Sequence, residues 1–118
     1  MISEEKLEKL SGWGCDFAAA AERLGGDEEL LLACIGMFLA DKAFDKFPGC
    51  LRRKDYGEAF SYAHDLKGIS GNLGLAPFCA GASEIVVNLR ASKYHGLEKQ
   101  FARLLELRES LRRALEGE

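Results

Sequence analysis

The sequence predicts an all-α protein, folded as an antiparallel up-down four-helix bundle with one or two short extra N-terminal helices. Three observations support this: long segments repeat apolar residues at helical spacing, short loops separate them, and β-branched residues are few. The 118 residues fit one domain. We expect that domain to span 1–118, with the bundle core at about 27–116 and accessory helices at about 3–25.

Two short helices are expected before the bundle. The segment from Ser3 to Leu10 is amphipathic and carries acidic residues in its first turn, and the glycines that follow would break it. Asp16 can cap a second short helix, FAAAAERL, which ends at Gly25 and Gly26.

The first bundle helix is predicted to begin at Asp27. This residue can cap a helix of roughly 20 residues, EELLLACIGMFLADKAFDKF, which Pro48 and Gly49 would stop. The helix is apolar over more than one stripe, so its large side chains cannot all face one core. Either an N-terminal helix covers the surplus, or part of it forms an exposed docking patch.

The other three bundle helices follow at short intervals. Asp55 and Glu58 are spaced as a capping box for a helix from Tyr56 to about Leu73. Gly74 suits the C′ position of that helix. The last two helices are predicted at about 76–92 and about 97–115.

Composition excludes several classes of function. The formal net charge is −3, so broad nucleic-acid binding is not expected. No apolar run reaches the roughly 18 residues of a membrane span, and the first residues do not form a signal peptide. We therefore expect a cytoplasmic protein, monomeric and without membrane contact. The four cysteines lie far apart with no CxxC pair, so we expect no metal site, and reduced, mostly buried thiols are favoured over disulfides.

Residues 63–74, AHDLKGISGNLG, form the most informative segment. Glycines stand inside a predicted helix, where each costs about 1 kcal/mol relative to alanine. On a helical wheel one face carries Gly57, Phe60, His64, Lys67, Gly68 and Gly71. The opposite face, assigned to the core, carries Ala59, Tyr62, Ala63, Leu66, Ile69, Ser70 and Leu73. The imidazole is thus predicted to face solvent from a strip with few side chains.

Two interpretations of this face are open. Missing Cβ atoms along one strip let another backbone approach the imidazole, which favours a docking surface centred on a reactive His64. Alternatively, His64 is an ordinary solvated histidine, Lys67 is an ordinary surface charge, and the glycines allow close packing of an N-terminal helix. The other histidine, His95, lies in a connecting segment and is interpreted as an ordinary loop residue.

The same segment strongly resembles the histidine-containing phosphotransfer (HPt) domain, whose pattern is approximately A-H-x-L-K-G-x-x-x-N-x-G. The positions that fit are Ala63, His64, Leu66, Lys67, Gly68, Asn72 and Gly74. The resemblance covers about residues 12–115 and includes RLGGDEELL, Phe38 and the start of the helix at Asp55 and Tyr56. Looser matches follow at Phe78, Ala82, Ile85 and Arg90.

The sequence departs from the family pattern at two positions. Val86 stands where the family often has Glu or Gln near the histidine, so that polar contact is either absent or supplied by Glu84 or Asn88. Gly71 replaces a residue that is usually Ala or Ser.

The resemblance implies a phosphorelay intermediate of two-component signal transduction. His64 would accept a phosphoryl group from the aspartate of a receiver domain and pass it to another receiver, and Lys67 would offset the charge of the phosphohistidine. Phe60, Gly68 and Gly71 would form the receiver-docking face. The chain would be a phosphoryl carrier rather than an enzyme and would hold no cofactor or metal, because Mg²⁺ is expected on the partner receiver.

The implied partners are response-regulator receiver domains and a histidine kinase or hybrid kinase. Two other functions stay open. The chain could be the phosphoacceptor domain of a chemotaxis-type histidine kinase, labelled by an ATP-binding domain elsewhere. It could also be a non-phosphorylated helical adaptor whose glycine-rich face binds another protein.

Overall fold

Seven helices make up the part of the chain that the computed structural model describes, residues 2–116. They are α1 (Glu4–Trp13), α2 (Phe17–Arg23), α3 (Glu28–Leu39), α4 (Ala43–Arg53), α5 (Tyr56–Asn72), α6 (Ala76–Arg90) and α7 (Leu97–Leu115). Within that range β structure is limited to one isolated bridge between Cys15 and Leu75, so the all-α prediction is confirmed. No described helix has the length and apolar character needed to span a membrane.

The first helix is longer than predicted. Ser3 caps α1 by accepting a hydrogen bond from the backbone N–H of Lys6, but the helix continues past Leu10 to Trp13. Gly14 ends it, in the left-handed conformation with φ at 117°. The extra turn is held by a contact with α7, because the indole Nε1 of Trp13 donates to Oγ of Ser110 at 2.7 Å.

The prediction of one long helix after Asp27 is wrong, since the segment forms α3 and α4 with a break between them. The break lies at Asp41, whose Oδ1 accepts a hydrogen bond from the N–H of Ala43 at 2.8 Å. A short acidic side chain that bonds the backbone in this way favours a new helix start over helix continuation. The carbonyl of Leu39, at the end of α3, accepts a hydrogen bond from Nε of Arg108 in α7 at 2.8 Å.

Pro48 does not end the helix either, and instead lies inside α4. Its missing N–H leaves the Phe44 carbonyl without its usual helical donor. Burial of the Phe44 and Phe47 side chains, which are 3% and 0% exposed, offsets that loss.

The apolar surplus of the Asp27 segment is only partly covered by an N-terminal helix. Of the two N-terminal helices, α2 packs against α3, whereas α1 packs against α7. Helix α2 does not cover all of the apolar surface of α3, because Leu30 remains 46% exposed and Met37 73% exposed. Part of the apolar surface of α3 therefore faces solvent.

The core is centred on aromatic rings contributed by three helices. Phe38, Phe44 and Phe78 contact one another edge to face, with ring centroids 4.9–5.7 Å apart. The guanidinium of Arg108 lies over the Phe44 ring, 4.5 Å from its centroid. These contacts account for a cation at the half-buried position 108 of α7, because its charge caps α3 while its planar group packs on an aromatic face.

The turn between α5 and α6 requires glycine at position 74. Gly74 has a φ of 75° and occupies the predicted C′ position, so that prediction is confirmed. A Cβ there would lie 2.6 Å from the backbone oxygen of Asp16. The approach is this close because the N–H of Asp16 donates to the Gly74 carbonyl at 2.8 Å. This contact ties the end of α5 to the start of α2.

All four cysteines are free thiols, with Cys15 and Cys50 buried and Cys34 and Cys79 half-buried. Burial, followed by the charge of Asp16, raises the pKa of the Cys15 thiol to about 11. Burial, followed by the charge of Glu58, also raises the pKa of Cys50. Both groups are therefore held as neutral thiols in the folded protein.

A pH dependence of stability follows from Cys15. In the unfolded chain a thiol ionises near pH 8.5, so above that pH the unfolded state loses this proton while the folded state keeps it up to about pH 11. We expect the free energy of unfolding to fall across this window, by on the order of 2 kcal/mol from Cys15. Urea unfolding of the wild type and of Cys15→Ala at about pH 8 and about pH 10.5 measures it. Identical pH slopes in the two proteins would contradict the prediction.

Candidate functional site

Helix α5 carries His64 on its solvent side. The helix begins at Asp55, whose Oδ1 accepts a hydrogen bond from the N–H of Glu58 at 3.1 Å, as the predicted cap requires. The residues of α5 that are buried are Ala59, Ala63, Leu66 and Ser70. His64 lies opposite them and is exposed, so the orientation predicted from the helical wheel is confirmed. Ile69 was assigned to the core but is 37% exposed.

Phe60 and Arg90 are the aromatic and cationic neighbours of this imidazole. Phe60 precedes His64 by one helical turn, and the two rings stack with centroids 5.8 Å apart and planes 25° from parallel. Arg90, from α6, places its guanidinium carbon 5.3 Å from the Phe60 centroid. The wheel put Phe60 beside His64, but Arg90 was not recognised as a site residue. Its only sequence signal was a loose match to the HPt pattern.

Lys67 lies one turn beyond His64 on the same face and is half-buried. Its backbone carbonyl accepts hydrogen bonds from Oγ of Ser70 at 3.1 Å and from Sγ of Cys79 at 3.6 Å, and the second bond links α5 to α6. Within residues 2–116 no salt bridge engages the Lys67 ammonium group.

The glycines of this face are not required by the packing of the protein itself. A Cβ at Gly68 would meet no heavy atom within 4 Å, so Gly68 borders open space. At Gly71 a Cβ would lie 3.4 Å from Sγ of Cys79, which is an ordinary contact distance. The alternative that these glycines admit an N-terminal helix is therefore wrong for Gly68, and at Gly71 the neighbour is α6.

Alanine at either position should stabilise the fold. Gly68→Ala and Gly71→Ala each remove backbone freedom from the unfolded chain without a clash, so the free energy of unfolding should rise by about 0.4–1 kcal/mol. Urea denaturation measures the change. Gly74→Ala is the matched control and should lower the free energy of unfolding, since φ at Gly74 is positive and a Cβ there would clash with the Asp16 backbone. A less stable Gly68→Ala would show that the fold itself needs this glycine.

The polar residue that the HPt pattern often has near position 86 is not replaced on α6. Val86 is 1% exposed and belongs to the core. Asn88 donates from Nδ2 to Oε1 of Gln100 at 3.1 Å, and Glu84 lines the same groove toward α7. Neither Glu84 nor Asn88 is therefore turned toward α5, and the suggestion that one of them substitutes is wrong.

A separate apolar groove lies between α3 and α5. Its lining residues are Cys34, Met37, Phe38, Asp41, Ile69, Asn72 and Leu73. Ile69 is five residues from His64, about 140° around the helix, so the groove opens on a different side of α5. His95, the other histidine, is exposed in the connection between α6 and α7.

The described residues contain no group of three or more His, Cys, Asp or Glu side chains arranged to hold a metal ion. The site around His64 thus consists of an exposed imidazole, the Phe60 ring stacked beside it, and Lys67 one turn onward on the same helix. Comparison of the chain with protein-family models, curated proteins and solved structures gave no significant match.

Proposed function

We propose that this chain is a phosphorelay intermediate of the HPt type, in which His64 accepts a phosphoryl group from a receiver-domain aspartate and passes it to another receiver. The observation that carries the proposal is the exposed His64 imidazole next to the open space at Gly68. A nucleophile that must enter the active site of a second protein needs this access, and a side chain at Gly68 would narrow it.

The proposed chemistry needs little from the chain beyond the imidazole. A neutral ring nitrogen attacks the phosphorus of the aspartyl phosphate, the phosphorus–oxygen bond to the aspartate breaks, and the carboxylate leaves. The same steps in reverse load the next receiver. The phosphohistidine carries negative charge that the Lys67 ammonium group offsets. Mg²⁺ would be held by the receiver, so the chain acts as a carrier and relies on its partner's catalytic groups.

In this proposal Phe60, Gly68 and Gly71 form the receiver-docking face, and the partners are response-regulator receivers and a histidine or hybrid kinase. Such a relay would operate in the cytoplasm, with this chain as a monomer. The half-buried ring of Phe60 offers apolar area beside the nucleophile.

The proposal also includes an antiparallel up-down four-helix bundle formed by α4, α5, α6 and α7. Helix α5 packs against α4 and α6, and α7 packs against α6 and α4, which supports a closed ring of four helices. Helix α4 is the first helix of this bundle, in place of the single long helix predicted after Asp27. Helices α1, α2 and α3 lie against the bundle.

Phosphotransfer profiling tests the function directly. The purified chain is incubated with each phosphorylated receiver domain of its organism, and we expect it to gain phosphate that is labile in acid and stable in base. Label gained only from ATP and a kinase domain would favour the chemotaxis-type phosphoacceptor. Receiver binding that never yields phosphohistidine would favour the adaptor. Either result would contradict the relay.

A further inference from the structure

We infer that Phe60 is a positioning residue for His64, a role that rests on the proposed phosphotransfer and goes beyond docking. The Phe60 ring, held by the guanidinium of Arg90, stacks on the imidazole and limits the orientations from which its nitrogen attacks phosphorus. The aromatic ring would then act inside the protein as well as toward a partner.

The stacking geometry supports a stable ring pair. A centroid separation of 5.8 Å with a 25° interplanar angle lies within the range of offset aromatic stacks. The two residues are separated by one helical turn, which places them side by side on the surface of α5. His64 is exposed, so this ring is a fixed neighbour for a side chain that otherwise faces water.

Arg90 contacts the Phe60 ring from a second helix. It belongs to α6, and its guanidinium lies over the Phe60 ring at 5.3 Å, within cation–π distance. Phe60 therefore contacts a residue on a second helix as well as the imidazole on its own. A ring held from two directions changes rotamer less freely than a ring on an isolated helix surface.

Restriction of the imidazole should affect the rate of transfer. An exposed histidine on a helix populates several rotamers, and only some of them aim a ring nitrogen at the phosphorus. Stacking that favours a productive rotamer raises the fraction of encounters that react, and loss of one aromatic contact should slow the reaction about three- to tenfold.

Phosphoramidate separates positioning from docking because it reacts without a receiver. The imidazole nitrogen attacks phosphorus, the phosphorus–nitrogen bond of the donor breaks, and ammonia leaves with the imidazole proton. A residue that only contacts the receiver has no part in this reaction. A residue that orients the imidazole affects it as strongly as it affects transfer from a receiver.

The experiment compares Phe60→Leu, Phe60→Tyr, Arg90→Ala and Arg103→Ala with the wild type. We expect Phe60→Leu to slow labelling by phosphoramidate and the maximal rate of receiver transfer by the same factor, about three- to tenfold. A higher half-saturating receiver concentration in the same variant would report the separate loss of docking area. Phe60→Tyr should be labelled by phosphoramidate at the wild-type rate. Arg90→Ala should be labelled at a rate between those of the wild type and Phe60→Leu. Arg103, an exposed cation on α7, is the matched control and should have no effect.

The outcomes distinguish this inference from the proposed function. Wild-type phosphoramidate labelling by Phe60→Leu, together with a higher half-saturating receiver concentration, would make Phe60 a docking contact only and overturn the inference. Wild-type protein that takes label from no donor would overturn the proposed function. Cross-relaxation between the Phe60 and His64 rings by NMR needs no donor, and its absence would overturn the stacked arrangement independently.

Discussion

Replacement of His64 by Gln is expected to abolish phosphate transfer from every receiver while the protein stays folded. The imidazole is exposed, so the free energy of unfolding should change by no more than about 0.5 kcal/mol. Glutamine is a good helix former and similar in reach, but its amide nitrogen is not a nucleophile. Loss of label in a folded variant therefore reports on chemistry, and it is measured by acid-labile phosphate alongside circular dichroism.

The chain offers a matched control for this variant in its second histidine. His95→Gln removes an imidazole that is also exposed but lies in the connection between α6 and α7, away from Lys67 and the Phe60 ring. We expect it to accept phosphate at the wild-type rate. Label that survives in His64→Gln, or disappears in His95→Gln, would refute the assignment of the phosphoacceptor.

The largest expected effect on stability is that of Phe78→Ala. Phe78 is fully buried on α6, and its ring contacts Phe38 at 4.9 Å and Phe44 at 5.5 Å between centroids. Truncation removes the ring and leaves a cavity where three helices meet, so the free energy of unfolding should fall by about 3–5 kcal/mol. That is a large share of the roughly 5–15 kcal/mol that stabilises a small domain. Urea denaturation, with the m-value checked for two-state unfolding, measures it.

Val87→Ala, on the same helix, is the control for Phe78. Val87 is 60% exposed, and its truncation should change the free energy of unfolding by less than about 0.5 kcal/mol. The pair thus tests the orientation of α6. Similar losses for the two variants, or a loss below about 1 kcal/mol for Phe78→Ala, would contradict the burial pattern of that helix.

Several helix boundaries could be predicted from the sequence because their causes are local. Asp16, Asp27 and Asp55 each accept a backbone N–H three residues onward, and this depends only on residues within one turn. Gly74 was predicted as a C′ residue for the same reason, since a helix end often requires a positive φ.

The boundaries that the sequence misplaced depend on distant residues. The break at Asp41 is completed by Arg108, which comes from the last helix to bond the Leu39 carbonyl. Pro48 is tolerated inside α4 because the helix buries Phe44 and Phe47 in the core. The local sequence indicates neither the bond from Arg108 to Leu39 nor the burial of Phe44 and Phe47, because both depend on how the helices pack.

By itself the sequence determined that a helix runs from Tyr56 to about Leu73 with His64 on its exposed side, because helical periodicity fixes which side chains share a face. It also determined that Phe60 lies beside that histidine. Only the tertiary structure decided that Arg90 reaches over the Phe60 ring and that Asn88 turns to Gln100. Those contacts depend on how two helices rotate and slide against each other, and the packing of the whole core sets that geometry.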